Sequence, residues 1–250
     1  MRDRRAISLP GLCRKKISGE DGKVTDTFFK FPSTPHLATS PGVDVRGDKV
    51  FSPQEREAFL RHEVTLEEKM DGANLGISFD DTGTLMLQNR GGLLLPPFAG
   101  QWKKLPEWLA LKMDPLFDHL TDRFILFGEW CYAKHSIPYT RLPDWFIGFD
   151  IFDKTSNRFF SCQRRNQVFH QLSITPVPQL GKGIYSLPEL MKQLPLSHCC
   201  NLPAEGIVLR HDQDEWLVQR SKLVASHFSQ TMSEQHWSHG SIKPNSLALA

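Results

Sequence analysis

The chain has 250 residues, with 30 lysines and arginines against 28 aspartates and glutamates and a formal charge of +2. That balance excludes the strong overall positive field of a protein that coats nucleic acid without preference, so any grip on a polynucleotide must be local. The length suits one substantial domain with a buried core, no stretch is apolar enough to span a bilayer or act as a signal peptide, and five cysteines without zinc-like spacing suit a reducing compartment. The expectation is a soluble, cytoplasmic protein with no membrane partner.

Residues 1 to 26 mix charge with glycine and serine and show no sustained period, and read as a loosely ordered lead-in. From Phe28 to Leu37, phenylalanines that need burial are interrupted by Pro32 and Pro35, which forbid a regular ladder; an extended strap against the core is predicted. Ser52-Pro53-Gln54-Glu55 spells a capping box with proline at the first helical position and starts a helix to about His62. Over 64–69 the period falls toward two, placing Lys69 at a strand end on the face of Thr65 and Glu67. Strands at 74–79 and 84–88 follow, joined by the turn signal Asp80-Asp81-Thr82-Gly83. A helix is predicted over 105–113, with Asp114-Pro115 restarting a second short one that ends near Leu120. Aromatic and branched runs predict strands at 124–130, 145–152, 205–210 and 216–224, while Ser161 and the box Ser186-Leu187-Pro188-Glu189 open helices to about Leu172 and Leu194. The fold class is α+β.

The run Glu67-Glu68-Lys69-Met70-Asp71-Gly72-Ala73-Asn74 sets an amine at a strand end beside a glycine turn. A free lysine, with a pKa of about 10.4, is almost wholly protonated at neutral pH. To attack phosphorus it must be deprotonated, through burial, nearby cations or a metal on the attacked phosphate. Asp71 and Gly72 by themselves suit an ordinary turn. Arg90, between Asn89 and Gly91-Gly92, suits a hairpin end or, with its planar fork, a phosphate or ribose contact. Glu129 shares a strand face with Ile125 and Phe127, where a carboxylate needs a specific donor. Phe149 is a core residue or a flat platform for a base. Glu205 opens a strand, and its oxygens suit Mg²⁺ or Mn²⁺. Arg220 and Lys222, two apart on one face, suit a charge-blunted strand edge or a shared anion. Basic residues at Lys103-Lys104, Lys134 with Arg141, and Arg164-Arg165 are the candidate local grips on a polynucleotide.

In chain order, the Lys69 run, Asn89-Arg90-Gly91, Phe127-Gly128-Glu129, Phe149-Asp150-Ile151, Glu205-Gly206-Ile207-Val208 and Arg220-Ser221-Lys222 resemble motifs I, Ia, III, IIIa, IV and V of the covalent nucleotidyltransferases. That superfamily holds the ATP-dependent RNA ligases, the DNA ligases and the messenger-RNA capping enzymes. The resemblance covers about residues 28–225. It implies a nucleotidyltransferase fold of two mainly antiparallel sheets flanked by helices, over a domain of residues 27–225 followed by a tail of 226–250. It implies that Lys69 attacks ATP to form a lysyl-AMP, that AMP passes to an RNA 5′-phosphate, and that a 3′-hydroxyl completes the seal. Catalytic roles then fall on Lys69, Arg220 and Lys222, and ATP contacts on Glu68, Asp71, Gly72, Asn74, Arg90, Glu129 at the ribose and Phe149 at the base. Glu205 takes the metal, Mg²⁺ or Mn²⁺. The family usually has lysine where Arg220 stands, a conservative departure. Asn74 stands where most DNA ligases and capping enzymes carry arginine, which favours the RNA-ligase branch, the RNA ligase 2-like group. The 28 residues after Lys222 leave no room for the small barrel domain those enzymes add. Alternatives are a ligase for DNA or DNA–RNA hybrids, or a nucleotide-dependent subunit of an RNA repair complex, with a protein partner, that has lost sealing.

Overall fold

The computed structural model describes residues 28–39, 49–192, 196–225 and 242–249. Two antiparallel sheets are built from strands that interleave along the chain. In the first, β1 (Val64–Glu68) lies between β8 (Gln179–Gly183) and β9 (Gly206–Gln213), and β10 (Trp216–Val224) pairs with β9 at the edge. In the second, the order is β3 (Leu85–Gln88), β2 (Ala73–Phe79), β4 (Phe124–Trp130), β5 (Phe146–Asp153) and β6 (Arg158–Phe159), with β7 (Thr175–Pro176) running parallel to β5. Every residue of β1 is buried, as expected for an interior strand. Because β1 and β2 belong to different sheets, the segment 69–72 is the crossover from one to the other.

Helix α1 (Pro53–Leu60) begins at the expected capping box, with the Ser52 and Glu55 side chains each bonded to the other's backbone. It buries Phe59 with Leu66, Leu209 and Leu223 against the first sheet, where Leu190 of α4 (Leu187–Lys192) joins the same cluster. On the second sheet, α2 (Leu105–Leu120) and α3 (Cys162–Gln171) pack on Leu75, Ile77, Leu126 and Phe146.

Three expectations change. Pro115 does not split α2, which runs unbroken through it. The hydrogen bond that proline forfeits would have gone to the carbonyl of Leu111, whose residue is 78% exposed, while Leu105, Trp108, Leu109, Leu116 and Leu120 give the helix one continuous buried face. Strands β6, β7 and β8 were not expected. In β8 the sequence Gln-Leu-Gly-Lys-Gly lacks β-branched and aromatic residues, and the strand exists through its pairing with β1. Lys69 lies one residue past the end of β1, although its N–H still bonds to Gly206 O at 3.0 Å.

The strap is extended, and among the described residues its ladder contacts are isolated bridges from His36 to Lys222 and to Val50. Phe29 stacks on Phe152 with ring centroids 3.9 Å apart, and Phe31 packs on Phe127 at 4.8 Å. The expected lead-in lies outside the described residues, as does the tail up to residue 241. Residues 242–249 pack along the loop after β4.

Candidate active site

A cavity of about 760 Å³ opens between the sheets, and all the side chains expected at the site line it, from Glu68 and Lys69 round to Arg220 and Lys222. Lys69 stands at the crossover with its Nζ 2.5 Å from Glu205 Oε2. Burial alone would push the lysine down, but the combined pull of Glu205, Glu129 and Asp71 outweighs it and leaves the amine above its ordinary value. The lowered pKa that nucleophilic attack requires is therefore not built into the unliganded site. Burial likewise raises Glu205, against the opposing effect of Lys69, and raises Glu129 to about 8, with Glu205 and Asp71 adding to it and Lys69 and Arg90 opposing it.

The turn itself is held by its neighbours. Asp71 Oδ2 accepts the N–H groups of Ser136 and Ile137, both at 2.7 Å, and the Asp71 N–H donates to the Tyr139 hydroxyl at 2.8 Å. A Cβ on Gly72 would stand 2.7 Å from Trp130 O, so the close approach that demands glycine here is to β4. Gly206, after Glu205, is fixed the same way: a Cβ would meet Leu223 O at 2.2 Å.

Glu68 and Asn74 carry buried oxygens that have no hydrogen-bond partner. Glu68 Oε2 accepts from His198 through its backbone N–H at 3.0 Å and lies 3.1 Å from its Nδ1, while Oε1 is unpaired; Asn74 Oδ1 is unpaired too, on a residue directly opposite Glu129 in the β2–β4 ladder. Such atoms cost free energy unless something else satisfies them. Phe149 is half-buried, its ring edge-on to Phe31 at 5.4 Å. Arg90 is exposed at the rim.

Below these groups lies a buried ion network that residue patterns did not reveal. Arg165 bonds Glu67 through Nη2 at 2.6 Å and Nη1 at 3.2 Å, and its Nη1 also donates to Phe149 O at 2.6 Å. Arg210 and Arg220 face one another across β9 and β10, a like-charge pair made tolerable by Asp150, which binds Arg210 at 2.6 Å and also binds Arg220. The Arg220 guanidinium lies over the rings of Phe31 and Phe159 at 4.4 and 4.5 Å. Arg220 and Lys222 thus share a strand face but not a situation: Arg220 is clamped to Asp150, whereas Lys222 acts electrostatically on Glu205. One signal for the network was available, since Arg210 ends an apolar run in a strand where an unpaired charge is not tolerated. Two of the surface grips change meaning. Arg165 is buried at 1% exposure, and Arg141 staples a loop through His198 O, Cys200 O and Asn201 Oδ1.

Among the described residues, no three histidine, cysteine, aspartate or glutamate side chains are grouped tightly enough to hold a metal alone. The excess of carboxylates around Lys69 nevertheless suits a hard cation that takes its remaining ligands from phosphate and water. No described helix is long and apolar enough to cross a membrane.

No curated protein matches the sequence. Among solved structures, the fold is similar to Naegleria gruberi RNA ligase. One mutant with ATP and Mn is 14% identical at a TM-score of 0.58, over 70% of this chain and 53% of that one. A second mutant with ATP and Mn is also 14% identical at 0.58, over 81% and 62%. A mutant with AMP and Mn is 15% identical at 0.56, over 72% and 54%. The chain therefore matches between about half and three fifths of the length of these proteins. A family model described as RNA ligase matches residues 62–224, which takes in every strand from β1 to β10 and the cavity they line; the chain belongs to the RNA ligase family.

Proposed function

We propose that this domain is an ATP-dependent RNA ligase in which Lys69 is the nucleophile. The observation that carries the reading is Lys69 itself, a half-buried amine held among carboxylates on the wall of a nucleotide-sized cavity that Lys222, Glu129 and Phe149 also line. Lys69 Nζ attacks the α-phosphorus of ATP, the bond to the β-phosphate oxygen breaks, and pyrophosphate leaves a lysyl-AMP. AMP then passes to the 5′-phosphate of an RNA, and a 3′-hydroxyl displaces it to form the phosphodiester.

The protein's part is placement and charge. Lys222 lies where it can offset phosphate charge, with Arg220 behind it, anchored on Asp150. Phe149, its backbone held by Arg165, offers a face to the purine. Asn74 Oδ1, with Glu129 across the ladder, suits the ribose hydroxyls, and Glu68 Oε1 suits the exocyclic amine of adenine, an acceptor that would repel the carbonyl oxygen of guanine. Glu205 would hold a divalent cation, with the rest of its ligands from phosphate and water. When bound, it supplies positive charge that neutralises the surrounding carboxylates and the triphosphate and so weakens the lysine's hold on its proton. The Naegleria structures solved with ATP or AMP and Mn support this choice of nucleotide and metal. RNA with 5′-phosphate and 3′-hydroxyl ends is the proposed polynucleotide, on the strength of the family.

The test is incubation with α-labelled ATP or GTP and Mg²⁺ or Mn²⁺, followed by denaturing electrophoresis. Label from ATP but little from GTP should remain on the protein, and Lys69→Ala should lose it while staying folded. Persistent labelling of Lys69→Ala would remove the assignment.

A further inference from the structure

Residues 242–249 are exposed or half-exposed except for Asn245, at 6%. Ile242 packs at the margin of the core cluster on the second sheet, but the segment's one fully buried side chain is polar, so its seat is specified largely by hydrogen bonds. Asn245 makes all three that its amide offers most directly. Nδ2 donates to Cys131 O at 2.8 Å and Ala133 O at 3.2 Å, and Oδ1 accepts the Tyr139 N–H at 2.9 Å. These partners sit on the two limbs of one loop, and backbone bonds reinforce the seat: Asn245 N to Tyr132 O at 2.8 Å and Ser246 N to Tyr139 O at 3.0 Å.

Between those limbs lie Ser136 and Ile137, whose N–H groups hold the Asp71 carboxylate, and Tyr139, whose hydroxyl receives the Asp71 N–H. Met70 packs into the same apolar cluster as Ile137 and Tyr139. The route from tail to turn is thus continuous: Asn245 ties the limbs together, the loop grips Asp71 by side chain and backbone, and Asp71 lies two residues from Lys69.

We propose that Asn245 is a positioning residue for Lys69, a pin through which the C-terminal segment fixes the loop that orients the nucleophile turn. The catalytic part of this inference rests on the reading of Lys69 given above; the mechanical part does not. Asparagine is required because an isosteric aspartate would set acceptors against the carbonyls of Cys131 and Ala133, while alanine would leave three buried backbone groups without partners.

The experiment compares the full-length protein with Asn245→Ala, Asn245→Asp and Tyr139→Phe, which deletes only the hydroxyl that receives the Asp71 N–H. It has two readouts. The first is the maximal rate of self-adenylylation and the KM for ATP; the second is amide hydrogen exchange across 69–72 and 131–139. The expected result is a maximal rate lowered by about tenfold to a hundredfold with KM changed by less than about twofold, as displacement of a reacting group predicts. Exchange should accelerate in the loop and at Asp71, while α1 keeps its protection. If Asn245→Ala does not fold, the other two variants carry the test. An unchanged rate in variants of an active protein, or faster exchange that stops at the loop and leaves 69–72 as protected as before, overturns the proposal. If the wild-type protein takes no label, the ligase reading fails, and exchange alone decides whether the pin exists.

Discussion

Glu67 and Lys69 are two residues apart, yet they belong to opposite electrostatic regimes. Glu67 is met by a bidentate guanidinium and belongs to a network in which Arg165, Arg210 and Arg220 are met by Glu67 and Asp150, with Asp212 4.0 Å from Arg210, nearly all of it shut away from water. Lys69 is instead one amine facing Glu205, Glu129 and Asp71, whose combined pull outweighs burial and leaves the lysine above its ordinary value, while burial first, and then Glu205 and Asp71, raise Glu129. In the network, geometry and pairing cancel charge, which is what permits charge to be buried at all. In the cavity, charge is left over. The difference separates a framework that holds its shape from a site waiting for ligands to balance it.

The comparison breaks most visibly if the network can be cut cheaply. Glu67→Gln leaves the Arg165 cation buried without its counter-ion and should lower the unfolding free energy by about 3–5 kcal/mol, measured by denaturant titration. A loss below about 1 kcal/mol, the range of exposed pairs, would mean that the network is not a framework.

Lys222→Ala should do the opposite, slowing lysyl-AMP formation by roughly a hundredfold, about 3 kcal/mol of barrier, with a far smaller change in stability. Arg61→Ala is the appropriate control, a side chain 72% exposed on the far end of α1. Arg164 is unsuitable for that purpose, since its guanidinium stacks on Phe160 at 3.8 Å. A Lys222→Ala effect no larger than the control's would return the residue to the role of a blunted strand edge.

The smallest effect concerns pH. Glu129 ionises near 8 in the folded protein against 4.5 ordinarily, so between those values the folded state holds a proton that the unfolded state has released. Unfolding free energy of the unliganded protein should therefore decline as pH rises through that window and level off above it. Glu129→Gln should flatten the decline, and Mn²⁺ with ATP should oppose it. Stability that rises with pH across the window in the wild type, with the same slope in Glu129→Gln, would contradict the raised ionisation that burial imposes on Glu129.

Much of the scaffold was legible because local chemistry specifies it. The Ser52–Glu55 box set the start of α1, a period near two set β1, the turn signal at 80–83 set β2 and β3, an aromatic and branched run set β4, and the strap's prolines kept it out of any regular ladder. Pro115 misled because its effect depends on which carbonyl it orphans, a matter of which face of α2 meets solvent. Strand β8 was invisible because its pairing with β1, not its residues, makes it a strand. The same limit applies to the site. Residues that face the cavity lie in short local motifs, whereas Glu67 finds Arg165 98 positions away and Asn245 finds Tyr139 106 positions away. Pairings of that span are fixed by topology and leave no local pattern to read.

The central claim is that the amine at the crossover of the two sheets is the group that takes the nucleotide. Peptide mapping by mass spectrometry, after incubation of the full chain with ATP and Mn²⁺, measures this directly. The account predicts a single AMP adduct, on the peptide carrying Lys69, released by acid as expected of a phosphoramidate. An adduct on any other lysine, with the Lys69 peptide unmodified, would contradict it.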